Sequence, residues 1–297
     1  MEYILTHMFS VDRKGPLCMI AASICWSFGG LCIKFIPWGA MSIVGVRALL
    51  AAAVFAIYRR SVKIEFTFGN ILGAMCLSAT TILFVFANKL TTAAAAILLQ
   101  FSAPIFIILI ELVFYRKKPT ISAIIAVSLT VLGMLMFFAG NLNAGSLLGN
   151  ILAIASGLTF AGVFVSNKRP DTDPNHAMLL GFFINAAVGM PFIFIEATSG
   201  TLAWGAAVFL GIVQVGLAYV FFSVGIKRTP ALLACLITAL EPVLNPVWVM
   251  LAGFAGMLPA IEIPGLFAVM GGAVIILTVI CYNVWMEKHP AESEKGT

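Results

Sequence analysis

The chain has 297 residues, of which 62% are hydrophobic and 10% charged, with a formal net charge of +5. Its mean hydropathy is +1.09. About a quarter of the residues in a soluble domain are charged, so this composition excludes a water-facing globular protein. Long unbroken apolar stretches, rather than alternating ones of about ten residues, select an all-α polytopic membrane bundle over a β-barrel.

A bilayer crossing needs about 20 mostly apolar residues. After a tail over 1–15, the sequence predicts spans near Pro16–Ile36, Met41–Tyr58, Phe68–Asn88, Thr92–Tyr115 and Pro119–Ala139, together a first five-helix unit over 16–140. A second unit over 146–286 follows, with spans near Ser146–Asn167, His176–Ala197, Gly205–Ile226, Pro230–Phe254 and Pro264–Trp285, and then a tail over 287–297. The short loops leave no room for a soluble domain. The first apolar run is long and lacks a small-residue cleavage site, so no cleavable signal is expected.

Basic residues fix the expected orientation. Arg13 and Lys14 precede the first span, Arg59, Arg60 and Lys63 follow the second, and Arg116, Lys117 and Lys118 follow the fourth. Lys168 and Arg169 follow the sixth, Lys227 and Arg228 the eighth, and Lys288 and Lys295 lie in the tail, while 141–145 and the Pro259 region carry no basic residue. Short basic loops stay in the cytoplasm. The alternation therefore predicts an even number of spans, ten, with both termini cytoplasmic, in a multi-pass protein of a bacterial inner membrane.

The chain also repeats itself. An offset of 138 sets Lys89 on Lys227, Ala93 on Ala231, Ala96 on Ala234, Leu98 on Leu236, Pro104 on Pro242 and Gly133 on Gly271. An offset of 133 sets Ala22-Ser23 on Ala155-Ser156 and Gly29 on Gly162. Two five-helix units must point in opposite directions across the membrane. Inverted repeats around a midplane site are the architecture of many secondary transporters.

Charge inside a bilayer is unfavourable by about 2.5–3.5 kcal/mol per residue even on the lenient insertion scale, so each case needs a reason. Glu241 stands mid-span in Glu241-Pro242-Val243-Leu244-Asn245-Pro246. Pro242 and Pro246 remove helix donors and free carbonyls, tolerated at this depth where they line a cavity. An acid there can bind a cation, pair with an amine or exchange a proton. Gln100 and Pro104 hold the corresponding place in the first unit, and Asn245 lies one turn after Glu241. Arg47, about 9 Å from the outer end of its span, can take a carboxylate or act as counter-charge to Glu241. Trp26, Tyr219 and Trp248 sit at mid-depth, where an aromatic ring can stack on a flat or cationic solute. Asn185 and Gln214 read as helix–helix hydrogen bonding, and Trp38, Trp204 and Trp285 as interfacial anchors.

Catalytic and metal signatures are missing: His7, His176 and His289 lie in tails or at a span end, and there is no HExxH or Walker glycine loop. No catalytic residue, metal or cofactor is expected. Neither is ATP-driven pumping within the chain. A membrane-embedded transferase or lipid-handling protein would show an acid/base or metal cluster at one interface.

These features resemble the drug/metabolite transporter superfamily in its EamA-domain branch. The resemblance rests on Trp26-Ser27-Phe28-Gly29 with Lys34, on Arg47, on Pro104, on Glu241-Pro242-Val243, and on Gly133 and Gly271. The chain departs from the family's usual Glu-containing turn at Tyr115-Arg116-Lys117-Lys118 and Gly253-Phe254-Ala255-Gly256. Membership implies a secondary transporter, working by alternating access, of solutes that range from amino acids and bases to sugars and drugs. The expectation is an exporter of an amino acid or another aromatic or amine-containing solute, proton-coupled through Glu241, for which one chain suffices. The alternative within the class is an uncoupled facilitator for nucleobases or drug-like solutes. No nucleic-acid partner is expected.

Overall fold

The computed structural model describes residues 14–91, 93–139, 146–196, 200–257 and 263–289, and among these every regular element is helical. Nine of the helices are long and apolar enough to cross a membrane. The first expected span differs: it forms as α1 (Lys14–Ser27) and α2 (Gly29–Lys34), interrupted at Phe28. The adjacent glycines Gly29 and Gly30 explain the break, since glycine in a helix interior is unfavourable by about 1 kcal/mol relative to alanine.

Local chemistry sets the other ends. α3 (Ala40–Arg59) closes on Arg60, whose φ of 52° is left-handed, and Ser61 N–H bonds back to Ala56 O at 3.1 Å, a Schellman-type stop. α4 (Phe68–Leu90) opens on Thr67, whose hydroxyl accepts from Asn70 N–H. α7 (Ile121–Phe138) opens on Thr120 in the same way, and α8 (Leu147–Ser166) on Ser146. α9 (Pro174–Gly189) opens on Asp173, whose carboxylate accepts from Asn175 N–H at 2.8 Å. Each side chain satisfies a donor that the helix start leaves without a partner.

The fourth and ninth spans are divided as well. The fourth divides into α5 (Ala93–Gln100) and α6 (Ala103–Phe114) around Phe101–Ser102, with Pro104 in the first turn of α6. α9 runs on through a 3-10 turn, Met190–Phe192, into α10 (Ile193–Glu196). The eighth span is α11 (Thr201–Phe209), a π-helix over Leu210–Leu217, and α12 (Ala218–Arg228). The ninth divides into α13 (Ala231–Thr238) and α14 (Leu240–Phe254) at Ala239, and α15 (Leu266–Lys288) ends the bundle. The offset of 138 carries Phe101–Ser102 onto Ala239–Leu240, so the two breaks coincide. Pro242 lies in the first turn of α14, where a missing N–H is harmless. Pro246 is inside α14, which continues through it.

The packing pairs are α4 with α8 and α12 with α1, α9 with α4 and the π-helix with α3, α5 and α6 with α8, and α13 and α14 with α1. α3 also packs on α9, and α7 on α15. Close approach is made by glycine. A Cβ on Gly133 would lie 2.8 Å from Ile275 Cγ1 and 3.0 Å from Gly271 O, and Gly45 meets Gly189 backbone to backbone. Ile57, Phe114 and Phe194, each more than three-quarters exposed, belong to the apolar surface that a bilayer covers.

At one end of the bundle a polar network ties three connections together. Asp171 accepts from Gly69 N–H at 2.9 Å and its carbonyl from the Thr67 hydroxyl at 2.6 Å. Asn70 accepts from Asp173 N–H at 2.7 Å, and Lys227 Nζ lies 3.2 Å from Asp173 Oδ1. The His176 ring takes Glu65 N–H on Nδ1 at 2.7 Å and meets Arg59 Nη2 across Nε2 at 2.9 Å. The ends of α3, α8 and α12 therefore share one face. Trp204 keeps an exposed ring, but Trp38 is buried against it at 4.6 Å, so Trp38 is a packing residue and not a surface anchor.

Candidate functional site

The breaks in the fourth and ninth spans, the π-helix, and the middles of α1, α3, α4 and α9 enclose a cavity of about 130 Å³. Its polar wall consists of Arg47, Gln100, Asn185, Gln214 and Glu241 with the hydroxyls of Thr80, Thr81 and Tyr219. Its aromatic wall is Trp26, Phe84, Phe101, Phe160 and Phe182 together with the Tyr219 ring.

Arg47 and Glu241 are both half-buried. With Tyr219 they lie within Coulombic range of one another. Among the described residues neither charged head closes an ion pair or a hydrogen bond. A cation and an anion so placed are free to take the two ends of a dipolar guest.

The amides are spent on one side only. Gln100 Nε2 donates to Ser156 Oγ at 2.7 Å, beside Gly157, where a Cβ would crowd Gln100 O and Ser102 Oγ at 2.7 Å. Ser23, the residue that the offset of 133 sets on Ser156, donates to Met19 O at 2.9 Å and to Ile237 O at 3.3 Å, just before the other break. Gln214 Nε2 donates to Trp26 O at 3.2 Å across Gly29, where a Cβ would sit 3.0 Å from that nitrogen. The buried oxygens Gln214 Oε1 and Asn185 Oδ1 have no hydrogen-bond partner. Thr80 donates to Cys76 O at 2.7 Å, and Thr81 to Leu77 O at 3.1 Å.

The rings form a connected wall. Trp26 meets Tyr219 edge-on at 5.1 Å, and Tyr219 meets Phe182 at 5.3 Å. Such edge contacts fix ring orientation. The Trp26 and Tyr219 rings are thereby presented to the cavity as firm surfaces.

Of the residues singled out in the sequence, Trp26, Arg47, Gln100, Tyr219 and Glu241 meet on this cavity. Asn245 and Trp248 are not among its lining. Trp248 instead donates from Nε1 to Ser27 Oγ at 2.7 Å and stacks on Phe28 at 4.5 Å, clasping the break between α1 and α2. Pro104 and Pro242 are buried beside their breaks. Asn185 and Gln214 carry more than helix contacts: both line the cavity. Among the described residues no three His, Cys, Asp or Glu side chains gather as a metal site. What the arrangement offers is binding.

Comparison with known proteins places this geometry. The EamA-like transporter family matches residues 13–139 and again 147–284. An uncharacterized transporter of Archaeoglobus fulgidus is 27% identical over 206 residues, 69% of this chain and 71% of that protein. The uncharacterized transporter YwfM of Bacillus subtilis is 28% identical over 178 residues, 58% of this chain, and the match spans 60% of that protein's length. A solved crystal structure superposes with a TM-score of 0.74 at 18% identity, covering 94% of this chain and 99% of that one, a likeness of fold. The chain is a multi-pass membrane protein with helices of spanning length, and it belongs to the EamA-like transporter family of the drug/metabolite transporter superfamily.

Proposed function

We propose that the chain is a secondary transporter that exports a small zwitterionic metabolite with an aromatic or apolar body, using the cavity between two inverted five-helix repeats. The carrying observation is that Arg47 and Glu241, one from each matched segment, face the same cavity unpaired. Arg47 takes the carboxylate, Glu241 the ammonium, and Trp26 and Tyr219 the body.

Several observations support the inverted repeat. Exchanging spans 1–5 with 6–10 turns each packing pair into another pair of the same set: 3 with 6 becomes 8 with 1, and 2 with 8 becomes 7 with 3. Gly133 touches Gly271, its counterpart under the offset of 138. A residue in contact with its own counterpart lies on the axis relating the repeats. With α1 and α2 as the tenth span, the connections that carry Arg59, Arg169 and Lys227 share one face, and we place that face and both termini in the cytoplasm of a bacterial inner membrane. A single chain holds both repeats, so a monomer suffices for alternating access.

The Glu241 carboxylate can hold a proton or pair with an ammonium, but not both at once. That exclusion makes the coupling an exchange, an inward proton for an outward solute, and so gives export.

The test is ligand-induced thermal stabilisation of the purified chain, with L-phenylalanine beside phenethylamine and 3-phenylpropanoate, which lack one charge each. The zwitterion stabilises and both truncated analogues fail to. Equal stabilisation by all three contradicts the reading, and stabilisation by neutral nucleobases alone favours the uncoupled facilitator.

A further inference from the structure

The divided first span is gripped at its break by two other spans. Gln214 Nε2, in the π-helix, donates to Trp26 O at 3.2 Å. Trp248 Nε1, in α14, donates to the Ser27 hydroxyl oxygen at 2.7 Å, and that hydroxyl donates in turn to Ile24 O at 2.6 Å. Phe28, at the break itself, stacks on Trp248 with ring centroids 4.5 Å apart. Its ring also meets Phe209 of α11 edge-on at 5.9 Å. Three consecutive residues of the first span are thus held by the eighth and ninth.

These contacts all lie on one side of the cavity. α1 starts beside the end of α12, at the loop network, where a Cβ on Gly15 would lie 2.6 Å from Thr229 Oγ1. Phe28 comes two residues after the cavity-lining Trp26. The ninth span leaves the network end at Ala231, and Trp248 stands about two turns beyond Glu241 on it. The eighth span ends at the network, and Phe209 precedes Gln214 on it by five residues. The rings therefore lie beyond the cavity, toward the end opposite the network.

A transport cavity has to be shut at each end in turn. The loop network binds the ends of three spans together at one end, and the rings do so at the other. The offset of 133 sets Phe28 on Ala161, and the offset of 138 sets Trp248 on Ile110. Neither counterpart is aromatic, and α8 runs unbroken over Leu147–Ser166, so the arrangement is particular to the first span. Ring contacts and one neutral hydrogen bond are individually modest, so a closure made of them can part. α2 begins on adjacent glycines, and hinges fall at such element ends.

We infer that Ser27, Phe28 and Trp248 form a latch that closes the cavity at the end away from the loop network, and that α2 swings at Phe28–Gly29 when the latch parts. Such a latch serves any solute, so it is independent of the zwitterion reading. Cys32 reports on it. Its N–H bonds to Phe28 O at 3.1 Å, it is 9% exposed, and it belongs to a buried cluster with Ala203, Ala207 and Leu210 of the eighth span.

The experiment times the modification of Cys32 by N-ethylmaleimide in the purified full chain without ligand, read by peptide mass spectrometry. The unaltered protein is compared with Phe28→Ala and Ser27→Ala, and Cys235, fully buried in α13, is the internal reference. Phe28→Ala speeds Cys32 modification about tenfold, the weight of two ring contacts. Ser27→Ala keeps every ring and speeds it about threefold. Cys235 keeps its rate in both. Should Phe28→Ala fail to fold, Ser27→Ala decides alone. Unchanged Cys32 rates overturn the inference. Equal acceleration of Cys32 and Cys235 overturns it too, since the substitutions would then have loosened the whole bundle and not parted a latch.

Discussion

Arg47 and Glu241 look onto one cavity from the two matched segments of the chain without closing an ion pair. Removing one partner of a made, buried pair is strongly destabilising because it strands the other charge. Among the described residues no such pair exists to break here, so replacing either residue strands no ion-pair partner.

Arg47→Met and Glu241→Gln should each weaken L-phenylalanine binding by about 10- to 100-fold, the weight of a hydrogen bond to a charged group. The ligand-free melting temperature should hold or rise. Calorimetric titration with a parallel melt checks both. A large fall in melting temperature with unchanged affinity would make the two residues structural.

The Gly133–Gly271 contact admits no side chain. Gly271→Ala would drive a methyl group into Gly133 O and the Phe137 backbone, so a loss of about 1–3 kcal/mol is expected. Gly205, in α11, has nothing within 4 Å of a built Cβ. Gly205→Ala should stabilise by about 0.5–1 kcal/mol. Denaturation of the two variants side by side separates close packing from helix propensity.

The loop network should loosen in acid. The Arg169 side chain holds the Asp171 carboxyl below the usual carboxylate range. Burial raises the Asp173 carboxyl, but Asn175 N–H and Lys227 more than offset it and leave it lowered too. The folded state thus binds fewer protons than the unfolded one at these sites. Their stabilisation is complete above the unfolded values, near pH 4, and is lost as pH falls through the lower folded values. Asp171→Asn should flatten the acid limb of the melting-temperature profile below about pH 4. The effect is modest because these groups are open to solvent.

Lys168 works in the opposite pH range. Burial lowers its ammonium to about 8, with Glu111 drawing it back up and Lys117 pushing it further down. Between that value and the unfolded one near 10.4 the unfolded chain binds more protons, so stability rises with pH over this window. Lys168→Met should raise the melting temperature at pH 7 and remove the rise between pH 8 and about 10. Melts at half-unit intervals test it.

Much of this was legible in the residues because bilayer constraints are severe. Pro104 and Pro242 marked the two breaks, and the glycine pair Gly133 and Gly271 marked the repeat. Mid-span charge and ring placement picked out Arg47, Glu241, Trp26 and Tyr219, which meet on one cavity. What escaped depends on satisfaction and not on residue type. That Gln214 spends its nitrogen on Trp26 and leaves its oxygen bare follows from the π-helix, which no periodicity announces. Trp248 shares a span with Glu241, yet its indole N–H finds Ser27 and turns it away from the cavity. Just before the division of the first span at Phe28, the Gln214 amide bonds to Trp26 O, a contact 188 positions away along the chain.

The most direct measurement is accumulation of labelled L-phenylalanine by proteoliposomes carrying an imposed pH gradient, for the unaltered chain and for Glu241→Gln. The account predicts that the unaltered chain moves the solute against its gradient and loses this when the pH gradient is collapsed, while Glu241→Gln shows no gradient-driven accumulation. Accumulation by Glu241→Gln equal to that of the unaltered chain would contradict it.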